Sequence, residues 1–256
     1  MKKLQEIIAD AEAAGATVGL SVRRPDGSAF DHNAAQGFPA ASTVKIAIMI
    51  TLFRQVDAGR HSLATRHAFT DADRTGGSGV LMHLDAGVAP TLRDLAYLMM
   101  SISDNSATNI LIDRVGMKEV NETMRALGMP HSVLGRLMRG RLALPGETEN
   151  IAYPAEYAAM VQAILQDRAA APSSCAAMLG LMEKQQNDRR IARHLPRGEA
   201  RPRWGTKTGS NTGVVNDVGY VFTPAGPVVI AAFVRDIPDP LEGERIIGDL
   251  ARAAMA

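Results

Sequence analysis

Hydrophobic and polar positions near both ends of the chain are arranged as in β-strands. Thr17–Arg23 is β-branched and alternating, and three further segments are strand-like: Ser28–His32, Val214–Phe222 and Pro227–Val234. The turn-forming sequence Pro25-Asp26-Gly27 separates the first two, so the second is predicted to return beside the first. Helical spacing precedes the first strand and recurs over Leu241–Ala256. Both ends of the chain therefore predict mixed helix and strand.

The middle of the chain has the spacing of helices instead. Five helices are predicted there, over Thr43–Ala58, Leu92–Ser101, Ser106–Val115, Lys118–Leu127 and Ala155–Gln166. Glycines end three of them, and Pro154 stands at the first position of the last one. We therefore predict a helical middle, residues 35–194, inserted between the two parts of a mixed unit, residues 1–34 and 195–256.

Composition and charge limit the classes of function. Apolar residues make up 46% of the chain and charged residues 21%, which is ordinary for a globular protein. The formal net charge of +1 gives no large field that would attract nucleic acid or an anionic membrane, so neither is expected as a partner. A local cluster of Arg197, Arg201 and Arg203 is interpreted as a solvated loop.

The N-terminus and the single cysteine bear on the compartment. The first residues are basic, but Glu6, Asp10 and Glu12 interrupt the apolar core that a signal peptide needs, and no stretch approaches the ~20 apolar residues of a membrane span. We expect a cytoplasmic protein, or a periplasmic or secreted form whose signal peptide has been removed. Cys175 is the only cysteine, so no internal disulfide can form, and its Ala-rich surroundings indicate a small core residue.

A Ser-x-x-Lys sequence, Ser42-Thr43-Val44-Lys45, lies at the start of the long apolar helix. Residues three apart share one face of a helix, so the Ser42 hydroxyl and the Lys45 amine can form a hydrogen bond. The amine can act as a base if burial and neighbouring cations make it neutral, and a helix N-terminus points backbone N–H groups at the reacting oxygen. The motif alone is weak, because about one Ser-x-x-Lys is expected by chance in such a chain.

A second motif, Ser103-Asp104-Asn105, follows the predicted helix Leu92–Ser101. These residue types are the preferred N-caps, so the motif predicts the start of the next helix. It also fits a catalytic function, in which the Ser103 hydroxyl shuttles a proton and the Asn105 amide binds the substrate. The two interpretations are compatible.

A third motif, Lys207-Thr208-Gly209-Ser210, lies in a strand-like stretch after Trp204-Gly205. One interpretation is a polar edge strand. The other is a substrate-binding segment, in which Lys207 and Thr208 hold a substrate carboxylate and the Ser210 N–H joins the Ser42 N–H in an oxyanion hole.

In their order and combination, the three motifs resemble those of the serine β-lactamase and penicillin-recognising enzyme family, and of class A β-lactamases in particular. Flanking sequences extend the resemblance over nearly the whole chain: Phe38–Lys45, Ser103–Asn109 and Asn216–Gly219. It implies an α+β fold, in which both chain ends build an antiparallel sheet flanked by helices and an all-helical domain is inserted. The active site would lie at their junction.

The resemblance also implies the chemistry. A serine hydrolase of this family takes a small-molecule substrate, a β-lactam or another amide or ester, and needs no cofactor or metal. Ser42, Lys45 and Ser103 would be catalytic. The residues expected to bind the substrate are Asn105, Lys207, Thr208, Gly209 and Ser210.

One loop departs from the class A pattern. Class A enzymes have an arginine followed soon by Glu-x-x-Leu-Asn between the second and third motifs, and this glutamate activates the water that hydrolyses the acyl-enzyme. The corresponding segment here, Leu134–Gly146, contains no acidic residue. Glu147 and Glu149 follow it, beyond the usual catalytic position, and are interpreted as surface charges. We therefore expect complete acylation machinery and slow deacylation.

Several functions stay open on this evidence. The first is a hydrolase that turns over β-lactams or related compounds slowly. The second is a penicillin-binding or penicillin-sensing module that stays acylated. A related amidase or esterase, such as a glutaminase, and a D-alanyl-D-alanine peptidase are further alternatives.

Overall fold

The computed structural model describes residues 2–256, which form an antiparallel sheet with helices on both faces. The strands in chain order are β1 (Thr17–Arg23), β2 (Ala29–His32), β3 (Phe38–Pro39), β4 (Ile151–Ala152), β5 (Trp204–Asn211), β6 (Val214–Thr223) and β7 (Gly226–Arg235). The helices are α1 (Lys2–Ala13), α2 (Lys45–Asp57), α3 (Leu92–Ser101), α4 (Asn105–Val115), α5 (Met117–Ala126), α6 (Pro154–Leu165), α7 (Pro172–Met182) and α8 (Pro240–Met255). Short 3₁₀ segments cover Ala41–Val44, Asp71–Asp73, Leu81–His83 and Gly198–Ala200.

The main sheet joins the two ends of the chain. Its five strands are ordered β2-β1-β7-β6-β5, and every neighbouring pair is antiparallel. β1 therefore lies beside β7, with Val18 opposite Val234. The predicted α+β fold class is confirmed, and β5, which carries the Lys207 motif, is an edge strand.

Two apolar cores lie on opposite faces of this sheet. On one face α1 and α8 pack over the strands through residues such as Leu4 and Leu250. On the other face the helical middle packs against Phe233 and Tyr220. α2 is buried almost all round, as its long apolar run predicts for a central helix. Cys175 is also buried in this second core.

The structure differs from the sequence-based picture at the start of the central helix and in the middle segment. The first turn of the predicted helix Thr43–Ala58 is a 3₁₀ segment, and α2 begins only at Lys45. The middle is also not entirely helical, because β3 and β4 pair there as a two-stranded sheet. The division at residues 1–34, 35–194 and 195–256 stays a prediction. Within residues 2–256, no helix combines the length and the apolar character needed to cross a bilayer.

Candidate active site

Ser42 lies on the 3₁₀ segment Ala41–Val44, between β3 and α2. β5 runs directly against this segment, since a Cβ atom added to Gly209 would lie 3.1 Å from the Ser42 backbone nitrogen and 3.0 Å from the Ala40 oxygen. The Asn216 side chain on β6 donates to the Pro39 oxygen at 2.8 Å and ties the same segment to the sheet. A side chain at position 209 would crowd this segment, which lies with the Ser42 N–H beside the edge of β5.

Two cavities meet at Ser42. The larger, of about 420 Å³, is also lined by Ser103, Thr208 and Ser210. The smaller, of about 170 Å³, lies on the other side, towards Asn105 and the loop after α5. The structure thus brings residues of all three motifs together around one hydroxyl.

Lys45 is fully buried and its amine is surrounded by oxygen acceptors. Its Nζ donates to the Ser103 backbone oxygen at 2.7 Å, to Ser103 Oγ at 3.0 Å and to Asn105 Oδ1 at 2.9 Å. Burial and then the nearby Lys207 charge hold the pKa of Lys45 well below its usual value, and Asp104 opposes this only in part. Among the described side chains Ser42 and Lys45 share no hydrogen bond, so the expected direct contact is replaced by this link to Ser103.

The corner between α3 and α4 holds the second motif in place. Asp104 is the N-cap of α4, as predicted: its Oδ1 accepts from the Ala107 N–H at 2.9 Å. Its Oδ2 accepts from the Val80 and Leu81 N–H groups, both at 2.7 Å. These bonds hold Ser103 in the left-handed region, at φ +61°, a strained conformation for a residue other than glycine.

Asn105 is committed to the protein at both ends of its amide. Its Oδ1 accepts from Lys45, and its Nδ2 donates to the Gly76 oxygen at 2.9 Å. One N–H of the Asn105 amide is thus bonded to Gly76, and its second N–H is available to a substrate. The side chain still lines the smaller cavity.

Lys207 is fully buried and is not among the residues that line the larger cavity, whereas Thr208 is. Its Nζ donates to the Thr208 oxygen at 2.9 Å. Burial and the Arg190 charge lower the pKa of Lys207 to about 7, against the opposing effect of Asp217. Lys207 therefore influences the larger cavity through its positive charge and not by lining it.

Arg190 lies at the candidate site, and the sequence did not reveal it. Its guanidinium lines the larger cavity and donates to Ser210 Oγ at 2.6 Å and to the Gly209 oxygen at 2.8 Å. Glu244 of α8 accepts from its Nε at 3.3 Å. No periodicity or motif marks Arg190, because its partners come from strands and a helix that are distant in sequence. It places a buried positive charge beside Thr208 and Ser210.

The two glutamates after the acid-free segment are held by arginines. Glu147 accepts from Arg141 at 2.6 and 2.9 Å, and this contact lowers the pKa of Glu147 to about 2. Glu149 is not the surface charge that we expected: its side chain is only 16% exposed and accepts from Arg136 at 3.0 Å and from the Ala143 N–H at 2.6 Å. Both carboxylates are engaged in holding the loop.

Met138 is the residue of this loop that is buried at the site. Its N–H donates to Asn109 Oδ1 at 2.8 Å, and its oxygen accepts from Asn109 Nδ2 at 3.0 Å. It is only 7% exposed and lines the smaller cavity together with Ser42 and Asn105. A thioether side chain of this loop thus lies in the same cavity as the candidate nucleophile. Over residues 2–256, no three His, Cys, Asp or Glu side chains are grouped to hold a metal ion.

Comparisons with known proteins agree with this geometry. A family model described as "Beta-lactamase enzyme family" matches residues 1–256. A β-lactamase of Rhodobacter capsulatus is 28% identical over 252 residues, which cover 96% of this chain and 84% of the relative. The crystal structure of a β-lactamase from Sphaerobacter thermophilus is similar with a TM-score of 0.96 and 54% identity, over 99% of this chain and 95% of that one.

A second kind of relative has the same fold. The structure of PBP-A superposes with a TM-score of 0.87 at 29% identity, over 98% of this chain and 94% of that one. A leucine-to-glutamate mutant of PBP-A, solved as an acyl-enzyme complex with penicillin G, superposes equally well.

Proposed function

Because this chain belongs to the beta-lactamase enzyme family, and is thus a serine hydrolase, we propose that β-lactams or related amides and esters acylate it at Ser42 and that deacylation is slow. The observation that carries the proposal is the fully buried Lys45 amine, which bonds to Ser103 Oγ next to Ser42. A buried amine with a lowered pKa is a base that functions near neutral pH.

Acylation uses the contacts around Lys45. The Ser42 oxygen attacks the substrate carbonyl carbon, and the Ser42 proton passes to the neutral Lys45 amine once the Ser42 side chain has rotated into hydrogen-bond contact with it. A neutral amine has two N–H donors and one lone pair, so Ser103 Oγ can then take the proton from Lys45 and deliver its own to the leaving nitrogen as the C–N bond breaks. The 3.0 Å separation of Lys45 Nζ and Ser103 Oγ supports this transfer.

The oxyanion and the substrate carboxylate have separate binding groups. The backbone N–H groups of Ser42 and Ser210 face the developing oxyanion, since β5 is an edge strand whose outer N–H groups have no partner strand. The carboxylate binds the hydroxyl groups of Thr208 and Ser210, in the field of the buried Arg190 and Lys207 charges. This arrangement favours a substrate with an anionic group beside the scissile bond.

Slow deacylation follows from the contacts of the loop. Hydrolysis of the acyl-enzyme needs a base that can take a proton from water. Glu147 is paired with Arg141 and has a pKa of about 2, so it is a poor base. Glu149 lines the smaller cavity, but Arg136 and two backbone N–H groups already occupy its oxygens.

The same observation favours one alternative from a different class. If no base replaces the missing carboxylate, the acyl-enzyme persists and the protein acts as a penicillin-binding or penicillin-sensing module. Persistence of the adduct separates these two functions, and failure to form it points to a related amidase or esterase.

Intact mass measured over time after mixing with a penicillin tests the proposal. We expect an adduct of one penicillin mass that forms fast and disappears slowly. Ser42→Ala should abolish the adduct. Ser78→Ala is the matched control, since Ser78 lines the same two cavities, and it should keep the adduct. An adduct that persists in Ser42→Ala, or one that maps to Ser103, would disprove the assignment of the nucleophile.

A further inference from the structure

A third cavity, of about 330 Å³, lies beside the larger active-site cavity and is lined mainly by arginines. We call it the arginine pocket; its charged lining consists of Arg189, Arg193, Arg197, Arg201 and Asp188, and its only histidine is His194. With the histidine neutral, four arginines and one aspartate give a formal charge of +3 (4 − 1). The whole chain carries only +1, so the pocket is a local concentration of positive charge.

Two of the four arginines are already neutralised. Arg201 Nη2 lies 3.1 Å from Asp188, and Arg189 Nε lies 3.2 Å from Glu244. Arg193 and Arg197 form no ion pair with any residue in the described range 2–256. They therefore present two uncompensated guanidinium groups to one cavity.

Asp249 of α8 does not neutralise Arg193 and Arg197. Asp249 accepts from His194 at 2.9 Å and from Arg245 and Arg252, each at 3.0 Å. Its oxygens are thus occupied by other cations.

Packing contacts position two of the arginines that line the pocket. The Arg201 guanidinium lies over the Trp204 ring, 4.9 Å from its centroid. Arg193 packs against α8, where a Cβ atom on Gly248 would come within 2.5 Å of Arg193 Cδ. Arg203 points elsewhere: it pairs with Glu183 and stacks on a different ring. Arg197 and Arg203 are exposed, as a solvated loop predicts, and Arg197 and Arg201 in addition line this pocket.

The arginine pocket adjoins the active-site cavity. Asp188 and Arg189 line both, and the larger cavity carries Thr208 and Ser210 on its wall. The pocket therefore lies next to the cavity in which the substrate carboxylate is proposed to bind. Guanidinium groups bind the paired oxygens of carboxylates and phosphates through two parallel hydrogen bonds.

We propose that the arginine pocket is a subsite for a second anionic group, a carboxylate or a phosphate, on substrates whose first carboxylate is bound at Thr208 and Ser210. The position of the first carboxylate in this proposal rests on the function proposed above. The anion-binding property of the pocket does not depend on it.

Calorimetric titration with inorganic pyrophosphate at constant ionic strength tests the pocket itself. The wild type should bind saturably, and Arg193→Ala/Arg197→Ala should bind about tenfold or more weakly, because two charged donors are lost. The matched control is Arg125→Ala, which removes an exposed arginine of α5 that has no ion pair among residues 2–256, and it should bind as the wild type does. No binding by the wild type, or equal binding by the double variant, would overturn the proposal.

Acylation by two cephalosporins tests the connection to the active site. The pair should differ only in whether the substituent beside the ring carboxylate is anionic or neutral. The double variant should lose about tenfold in second-order acylation rate with the anionic compound and little with the neutral one. An unchanged ratio would show that the pocket is not part of the substrate cleft. If neither compound acylates the wild type, the proposed function is wrong, and the pyrophosphate titration still decides whether the pocket binds anions.

Discussion

Replacing Met138 by glutamate should convert the proposed slow deacylation into turnover. The Asn109 amide holds the Met138 backbone through both its N–H and its oxygen, so the new side chain should start from a fixed position. Met138 lines the smaller cavity with Ser42. That cavity measures about 170 Å³, far more than the ~15 Å³ that one water needs, so a carboxylate and a hydrolytic water fit together.

The size of the effect follows from general-base catalysis. A correctly placed base contributes roughly 10²- to 10⁴-fold, so the deacylation rate should rise by at least about 10²-fold. A carboxylate at a position that is 7% exposed also costs stability, about 1–3 kcal/mol. Arg136 and Arg139 line the same cavity and offset part of this cost.

Stopped-flow measurement of β-lactam opening resolves the two steps as a burst and a steady state. The parent protein should give a burst followed by a slow phase, and Met138→Glu should raise the slow phase without changing the burst rate. Met138→Gln is the matched control, because it has the same size and no base. If a folded Met138→Glu variant acylates at the parent rate and deacylates no faster than Met138→Gln, the smaller cavity is not the path of the hydrolytic water.

Four further outcomes are expected. Lys45→Arg keeps the charge but cannot give up its proton, so burst rates should fall by roughly 10²-fold or more; an unchanged rate would make Lys45 structural. The second-order rate of acylation by carboxylate-bearing β-lactams, measured across a pH series, should fall above about pH 7, because Lys207 there loses its proton and its positive charge. The rate with neutral esters should show no such decline. A decline shared by both kinds of substrate would point to another group. Arg190→Ala should slow acylation by carboxylate-bearing substrates about tenfold or more, relative to neutral esters, because a buried charged donor to Ser210 is lost; equal losses would mean a structural role. Glu147→Gln and Glu149→Gln should each leave the rate of the slow phase nearly unchanged. Glu149→Gln should also lower the melting temperature, because it weakens the ion pair with Arg136. A large drop in the steady-state rate of either variant would identify that glutamate as the base.

The sequence predicted the helices and strands more completely than it predicted the candidate active site. Strands such as Val214–Phe222 were predictable from their β-branched and aromatic residues, and the edge position of β5 suits its polar sequence. Ser42, Lys45 and Ser103 could be brought together from their motifs alone. Arg190 could not, because its position depends on Glu244, which lies 54 residues further along the chain.

The loop from Leu134 to Glu149 shows a second limit. It has no hydrophobic period, and its conformation is set by side chains that bond to backbone groups, as Asn109 does to Met138. The absence of an acid in Leu134–Gly146 was visible in the sequence. The burial of Glu149 against Arg136 was not, since an isolated glutamate in a polar segment is more often exposed.

Because β1 pairs with β7, the main sheet can be completed only late in the synthesis of the chain. Thr17 pairs with Arg235, which is added 218 residues later (235 − 17). A growing chain therefore presents β1 with one edge unpaired until translation has passed β7, and such an edge can pair with other chains. α2 and α4 emerge early with Ser42, Lys45 and Ser103, whereas β5 and its neighbours complete the other wall of the cavity last. A nascent polypeptide stalled before β7 holds the proposed nucleophile but has no finished sheet to support β5, so we expect it to acquire the proposed reactivity towards penicillin only at the end of translation.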